Sequence, residues 1–184
     1  MTVGLLEQYR VLIAPGLQDS GPAHWQSRWQ LLHPGFERVV QDDWDSTELG
    51  PWSARVGEVR RQDLRPTLIV AHSFGCLATV DSIVADPAQV AGVLLVAPAD
   101  PDQFAAGLLP ALALPCPSTV IASSNDPWIS AASAALWAQR WGSTLVEVGA
   151  LGHINGESGL ADWTFGQLQL QALAERAHHA RRND

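Results

Sequence analysis

Apolar residues along this chain fall into two alternating patterns: short unbroken runs, and longer segments in which they recur every three or four positions. Unbroken runs bounded by Gly, Pro, Asp and Asn read as strands, and the longer period reads as helix. Strands are accordingly placed at Arg10–Ala14, Phe36–Val40, Thr67–Val70, Ala91–Val96, Ser118–Ala122 and Ser143–Val148, with charged residues inside only the second and the last. Between them, Ser20 is placed to cap a helix with Pro22 in its first turn and Trp25, Trp29 and Leu32 on one face. Pro51 starts a second helix through Trp52, Val56 and Val59 that ends before Pro66, and Cys76–Val84 makes a third. Gln103–Leu109 predicts a short helix and Pro110–Pro117 a connection. Ser130–Arg140 predicts another helix. A last one starts at about Leu160, with Phe165, Leu168 and Ala172 on one face.

Strand and helix thus alternate from end to end, and the strands do not alternate between apolar and polar positions. Both facts predict an α/β fold in one domain spanning 1–184, with a mostly parallel central sheet covered by helices on both faces. In such sheets ligands bind beyond the carboxyl ends of the strands, so the strand exits are where chemistry is sought. There is no internal repeat, no linker and no length to spare for a lid domain.

One exit stands out. Thr67–Val70 runs through Ala71-His72-Ser73-Phe74-Gly75 straight into a helix, the strand-turn-helix order in which a small-x-Ser-x-Gly segment lifts a serine hydroxyl above the sheet edge. Gly75 supplies one of the small residues that such a turn needs, and Ala71 stands where Gly is usual. The same five residues would also suit an ordinary turn, so the rest of the chain has to decide. A serine is a poor nucleophile at neutral pH unless an imidazole takes its proton and a carboxylate fixes that imidazole's tautomer.

Of the six histidines, His178 and His179 lie in a charged tail and His33 ends a helix. His72 is expected to point away from Ser73 as a structural residue, and His24, at the start of the first helix, is placed in the pocket. His153 lies in the glycine-rich loop Gly149–Gly159 after the last strand, and is the candidate base. Asp126 follows the preceding strand and is the candidate acid; an Asx turn would also explain it. The order Ser73, Asp126, His153 is that of α/β-hydrolases and differs from the chymotrypsin-like and subtilisin-like orders. For the oxyanion of a tetrahedral intermediate, the Phe74 amide follows the serine and the Leu17 amide lies on the first strand's exit.

Composition narrows the setting. A formal charge of −8 argues against nucleic acid as a partner, because phosphate binding needs a basic stripe. Arg60, Arg61 and Arg65 read as solvated surface. No apolar run approaches the roughly 20 residues of a membrane span, and Met1–Arg10 lacks the pattern of a secretory leader. Two cysteines not spaced as C-x-x-C favour a reduced, cytoplasmic setting. Among eight tryptophans, Trp25, Trp29, Trp44, Trp52 and Trp128 fall near the expected rim, where core or surface packing would explain each equally well, and Trp25, Trp44 and Trp128 are assigned to an apolar pocket. Asp42, Asp43 and Asp45 lack metal-ligand spacing and read as a solvated loop, so no metal is expected.

Pro15-Gly16, His24-Trp25-x-x-x-Trp29, Gln41-Asp42-Asp43-Trp44, Pro51-Trp52, Ala71–Gly75, Asp126-Pro127 and Gly152-His153-Ile154-Asn155 occur in sequence, and together they resemble the small serine hydrolases related to retinoblastoma-binding protein nine and the bacterial YdeN-type proteins. The resemblance spans nearly the whole chain. It implies a compact, minimal α/β-hydrolase with Ser73 as nucleophile, Asp126 as acid, His153 as base, and no metal or organic cofactor. The expected activity is hydrolysis of small acyl esters, or of compact amides or peptides, in a shallow pocket. The rival is a hydrolase scaffold that serves mainly to bind a protein partner.

Overall fold

The computed structural model describes residues 3–105 and 107–183. In order, its elements are α1 (Val3–Leu6), β1 (Arg10–Ala14), α2 (Trp25–Leu32), β2 (Phe36–Arg38), α3 (Leu49–Arg61), β3 (Thr67–Ser73), α4 (Phe74–Ala85), β4 (Val90–Pro98), α5 (Pro101–Phe104), β5 (Ser118–Ala122), α6 (Ala131–Arg140), β6 (Thr144–Glu147), a 3-10 turn (Gly156–Ser158) and α7 (Thr164–Asn183). The six strands form one sheet in the order β2-β1-β3-β4-β5-β6, and every neighbouring pair is parallel.

Alternate residues of the central strands feed two separate cores. Leu12, Ile69, Val93, Leu95 and Val120 face one side with Trp52, Val56, Leu77 and Trp137 of the helices that cover it. Val11, Ile13, Val70, Leu94 and Ile121 face the other with Trp25, Trp29, Leu170 and Leu173. Burial on both faces is why these strands read as unbroken apolar runs. The strand order reverses direction between β1 and β3, which opens a crevice at their carboxyl ends.

Several expectations are corrected here. The elbow strand runs through Ser73 rather than ending at Val70. His24, not Ser20, caps α2, its ring nitrogen accepting the Gln26 N–H, while the Ser20 hydroxyl donates to Gln26 Oε1. Leu32 is consequently off the packed face and half exposed. α3 begins two residues before Pro51. α5 is capped by Asp100 with Pro101 at its first position, so it starts and stops earlier than the Gln103–Leu109 pattern suggests; residue 106 of that span lies outside the described residues.

In α7 the buried stripe is Leu170, Leu173, Ala174 and Ala177, and Phe165, Leu168 and Ala172 face outward. The helix is phased by Leu173, whose side chain fits over the bare backbone of Gly92 on β4. Arg60 is not solvated surface. It is buried, and its guanidinium donates to the carbonyls of Ser82, Asp86 and Ala88, tying α3 to the end of α4. Desolvation lowers its pKa, and those carbonyls supply the acceptors that a buried charge requires.

Candidate active site

The crevice between β1 and β3 is floored by Ser73, His72 and His153 and encloses about 680 Å³. Ser73 sits at φ 53°, ψ −125°, a backbone conformation that costs a non-glycine residue about 1–3 kcal/mol and persists only where the surroundings enforce it. Two glycines do so by allowing close approach. A Cβ on Gly75 would lie 2.3 Å from the Pro15 carbonyl oxygen and 2.4 Å from that of Ala14, so the start of α4 presses directly on the exit of β1. A Cβ on Gly16 would lie 2.6 Å from Ser73 Cβ. The first strand's exit is therefore packed against the serine itself.

His153 comes to the serine from the loop after β6. Its Nε2 lies 2.9 Å from Ser73 Oγ, and its Nδ1 lies 2.9 Å from both carboxylate oxygens of Asp126. Because a carboxylate only accepts, Nδ1 carries a proton, and in the neutral ring Nε2 then presents a lone pair to the serine hydroxyl. The Asp126 side chain is fully buried, and its Oδ1 also accepts the Trp128 N–H. The Asx turn and the contact to His153 are thus two uses of one side chain.

The loops carrying Asp126 and His153 are bonded to each other. Asn125 Oδ1 accepts the Gly152 N–H at 2.7 Å, and Ser123 Oγ accepts the Leu151 N–H while donating within the same pair of loops. Neither Ser123 nor Asn125 was singled out in the sequence, since no local pattern marks a residue that bonds a loop 27 or 28 positions away.

The remaining candidates divide. The Phe74 amide begins α4, where the first-turn N–H groups have no partner within the helix. Leu17 borders the crevice, and among the described residues no acceptor takes its N–H. His24 and Trp128 also border it, Trp128 half exposed. Trp25 and Trp44 do not. Trp25 is buried in the core with its indole N–H on the Ile154 carbonyl, because the late start of α2 turns it toward Trp29 and Trp163. Trp44 packs edge-on against Trp52, behind the loop whose Gln18 N–H its own carbonyl accepts.

His72 is both structural and part of the floor, its ring 4.8 Å from that of His153. Burial holds His24 down at about 3 and His72 well below the ordinary histidine value, so both rings are neutral near pH 7.

The lining is mixed in chemistry. Leu17, Ala99, Phe104 and Trp128 contribute apolar surface to the lining, and Gln18, Asp19, Asn155 and Glu157 contribute polar surface. Asp19 is paired with Arg38, and no lysine or arginine is among the described residues that line the crevice. Among the described residues, no three potential metal ligands converge and no helix is long and apolar enough to cross a membrane.

The family model described as serine hydrolase matches residues 11–172. A YdeN-like hydrolase from Pectobacterium atrosepticum is 36% identical, with 95% of each chain covered and a TM-score of 0.90. The ydeN gene product from B. subtilis is 20% identical over 89% of this chain and 98% of that one, with a TM-score of 0.70. An esterase from Rhodococcus sp. is 11% identical over 92% of this chain and 91% of that one, with a TM-score of 0.67. These last two share the fold. No curated protein matches. The YdeN-type half of the resemblance is thus shown, and the link to retinoblastoma-binding protein nine rests on the quoted motifs alone.

Proposed function

The chain belongs to the serine hydrolase family, and on that premise we propose that it hydrolyses small, uncharged acyl esters through a Ser73 acyl-enzyme, with His153 as base and Asp126 as the orienting acid. The observation that carries this reading is the unbroken chain of 2.9 Å contacts from Asp126 through His153 to Ser73 Oγ. As Ser73 Oγ attacks the acyl carbon, its proton passes to His153 Nε2, and the imidazolium so formed is stabilised by Asp126 at Nδ1. The oxyanion takes hydrogen bonds from the Phe74 and Leu17 amides, each worth about 3–4 kcal/mol at the transition state. His153 then gives its proton to the leaving alcohol. Water, deprotonated by the same nitrogen, attacks the ester on Ser73; the C–Oγ bond then breaks, Nε2 returns the proton to Ser73 Oγ, and the acid is released. Every step uses groups of the chain and water.

The cleft supports the substrate class. Its apolar residues suit a compact acyl group, and the Glu157 carboxylate, with no lysine or arginine among the described residues that line the cleft, disfavours an anionic one. The test is a p-nitrophenyl ester series from acetate to octanoate. We expect turnover by the wild-type protein, none above background for Ser73→Ala, and a sharp fall in kcat/KM beyond short chains. A flat or rising profile would overturn the compact-acyl assignment, and turnover undiminished in Ser73→Ala would overturn the mechanism.

A further inference from the structure

The loop that presents His153 carries a backbone conformation its sequence does not favour. Ile154, next to His153, sits at φ 48°, in the left-handed region that a β-branched residue rarely enters. Its side chain is wholly buried among Trp25 and its neighbours, so the loop is drawn inward at this residue. Something must hold the peptide groups on either side.

Two side chains do so, on consecutive carbonyls. His72 Nε2 lies 2.9 Å from the His153 carbonyl oxygen, and Trp25 Nε1 lies 2.7 Å from the Ile154 carbonyl oxygen. A carbonyl oxygen only accepts, so His72 carries its proton on Nε2. Both donors are buried, and both belong to other parts of the chain: His72 immediately precedes Ser73 on β3, and Trp25 is the first residue of α2. His72 thereby couples the serine's own strand to the backbone of the residue facing that serine. Burial keeps the His72 ring neutral, which leaves it a donor without placing a second cation beside an imidazolium at His153.

Resting on the assignment of His153 as base, we propose that His72 and Trp25 are positioning residues, which clamp the successive carbonyls of His153 and Ile154 and thereby fix the base against Ser73. Neither touches the reacting atoms in this role. Their effect is on the fraction of molecules in which Nε2 of His153 lies within hydrogen-bond reach of Ser73 Oγ, a geometric tolerance to which rates are steeply sensitive.

The test compares His72→Leu, His72→Gln and Trp25→Phe with the wild type, all confirmed as folded by thermal melting. Leucine removes the donor, glutamine keeps an N–H of similar reach, and phenylalanine keeps an aromatic ring without the indole N–H. For p-nitrophenyl acetate we expect His72→Leu to lower kcat about 10- to 100-fold with KM nearly unchanged. Trp25→Phe should lose less, and His72→Gln should recover most of the loss. Amide hydrogen exchange across residues 151–158, followed by mass spectrometry, should speed up in His72→Leu and Trp25→Phe and return toward wild type in His72→Gln.

Equal kcat in wild type and His72→Leu, equal impairment in His72→Leu and His72→Gln, or unchanged exchange in the loop would each overturn the clamp. Should His72→Leu fail to fold, Trp25→Phe and His72→Gln still decide it: the first must lose kcat and loop protection, and the second must keep both. If the wild-type protein proves inactive on every ester yet exchange still responds as described, the clamp stands and it is the hydrolase mechanism that fails.

Discussion

The elbow that carries Ser73 and the loop that carries His153 meet at two hydrogen bonds, Ser73 to the His153 ring and His72 to the His153 carbonyl, yet they are built in opposite ways. The elbow, Ala71–Gly75, is held by its own neighbours. β3 pairs with β1 on one side and β4 on the other, α4 follows without a break, and the bare backbones of Gly16 and Gly75 let the turn be gripped by main chain. The loop Gly149–Ser158 has no strand of its own and only a 3-10 turn at its end. Its shape is imposed by Ser123, Asn125, Trp25 and His72, side chains from three other parts of the chain. The strain at Ser73 is confined by backbone packing, whereas the precision of His153 is assembled from scattered hydrogen bonds. A single substitution should therefore wreck the elbow as a fold element, and should loosen the loop in graded steps.

The largest expected effect falls on the carboxylate that faces the His153 ring. Asp126→Asn leaves the shape of the side chain but favours the wrong tautomer of His153, and kcat should drop by about ten-thousand-fold with little change in KM. A loss below about tenfold in steady-state kinetics would mean that the carboxylate does not govern the imidazole. Next comes the elbow. Gly75→Ala drives a Cβ onto two carbonyl oxygens at 2.3 and 2.4 Å, contacts that only backbone displacement can relieve. It should cost about 3 kcal/mol in urea unfolding and take activity with it. Wild-type stability in that variant would show that the grip on the elbow is loose after all. Smallest of the three is Asn125→Ala, which removes the acceptor of the Gly152 N–H. A loss of about 1 kcal/mol in stability is expected, with kcat several-fold lower and the unfolding transition still cooperative. Collapse of the fold in this variant would erase the distinction between graded loop and brittle elbow.

The same contrast explains what could be read before the structure. Ser73 and its turn were legible because strand, serine, glycine and helix are contiguous, and the parallel sheet was legible because both faces of each strand bury apolar residues. Asp126 and His153 could be picked out as strand-exit residues in a particular order, with the turn of the chain doing the rest. What stayed hidden is what acts across the fold. Trp25 looked like a pocket residue because an aromatic near a strand exit gives no hint of which way its ring turns, and the cap at His24 rather than Ser20 settled that direction. Arg60 looked solvated because the carbonyls that receive it lie 22 to 28 positions away. The α7 stripe was misread since Phe165, Leu168 and Ala172 are as apolar as the residues that are buried; the open backbone of Gly92 made the choice.

The central claim is that Ser73 is a nucleophile activated by His153, and intact-protein mass spectrometry after a fluorophosphonate tests it most directly. The wild-type chain should gain one phosphonyl adduct, localised by peptide mapping to Ser73, His153→Ala should label far more slowly, and Ser73→Ala should gain none. An unlabelled wild-type chain, or an adduct that persists in Ser73→Ala, would contradict it.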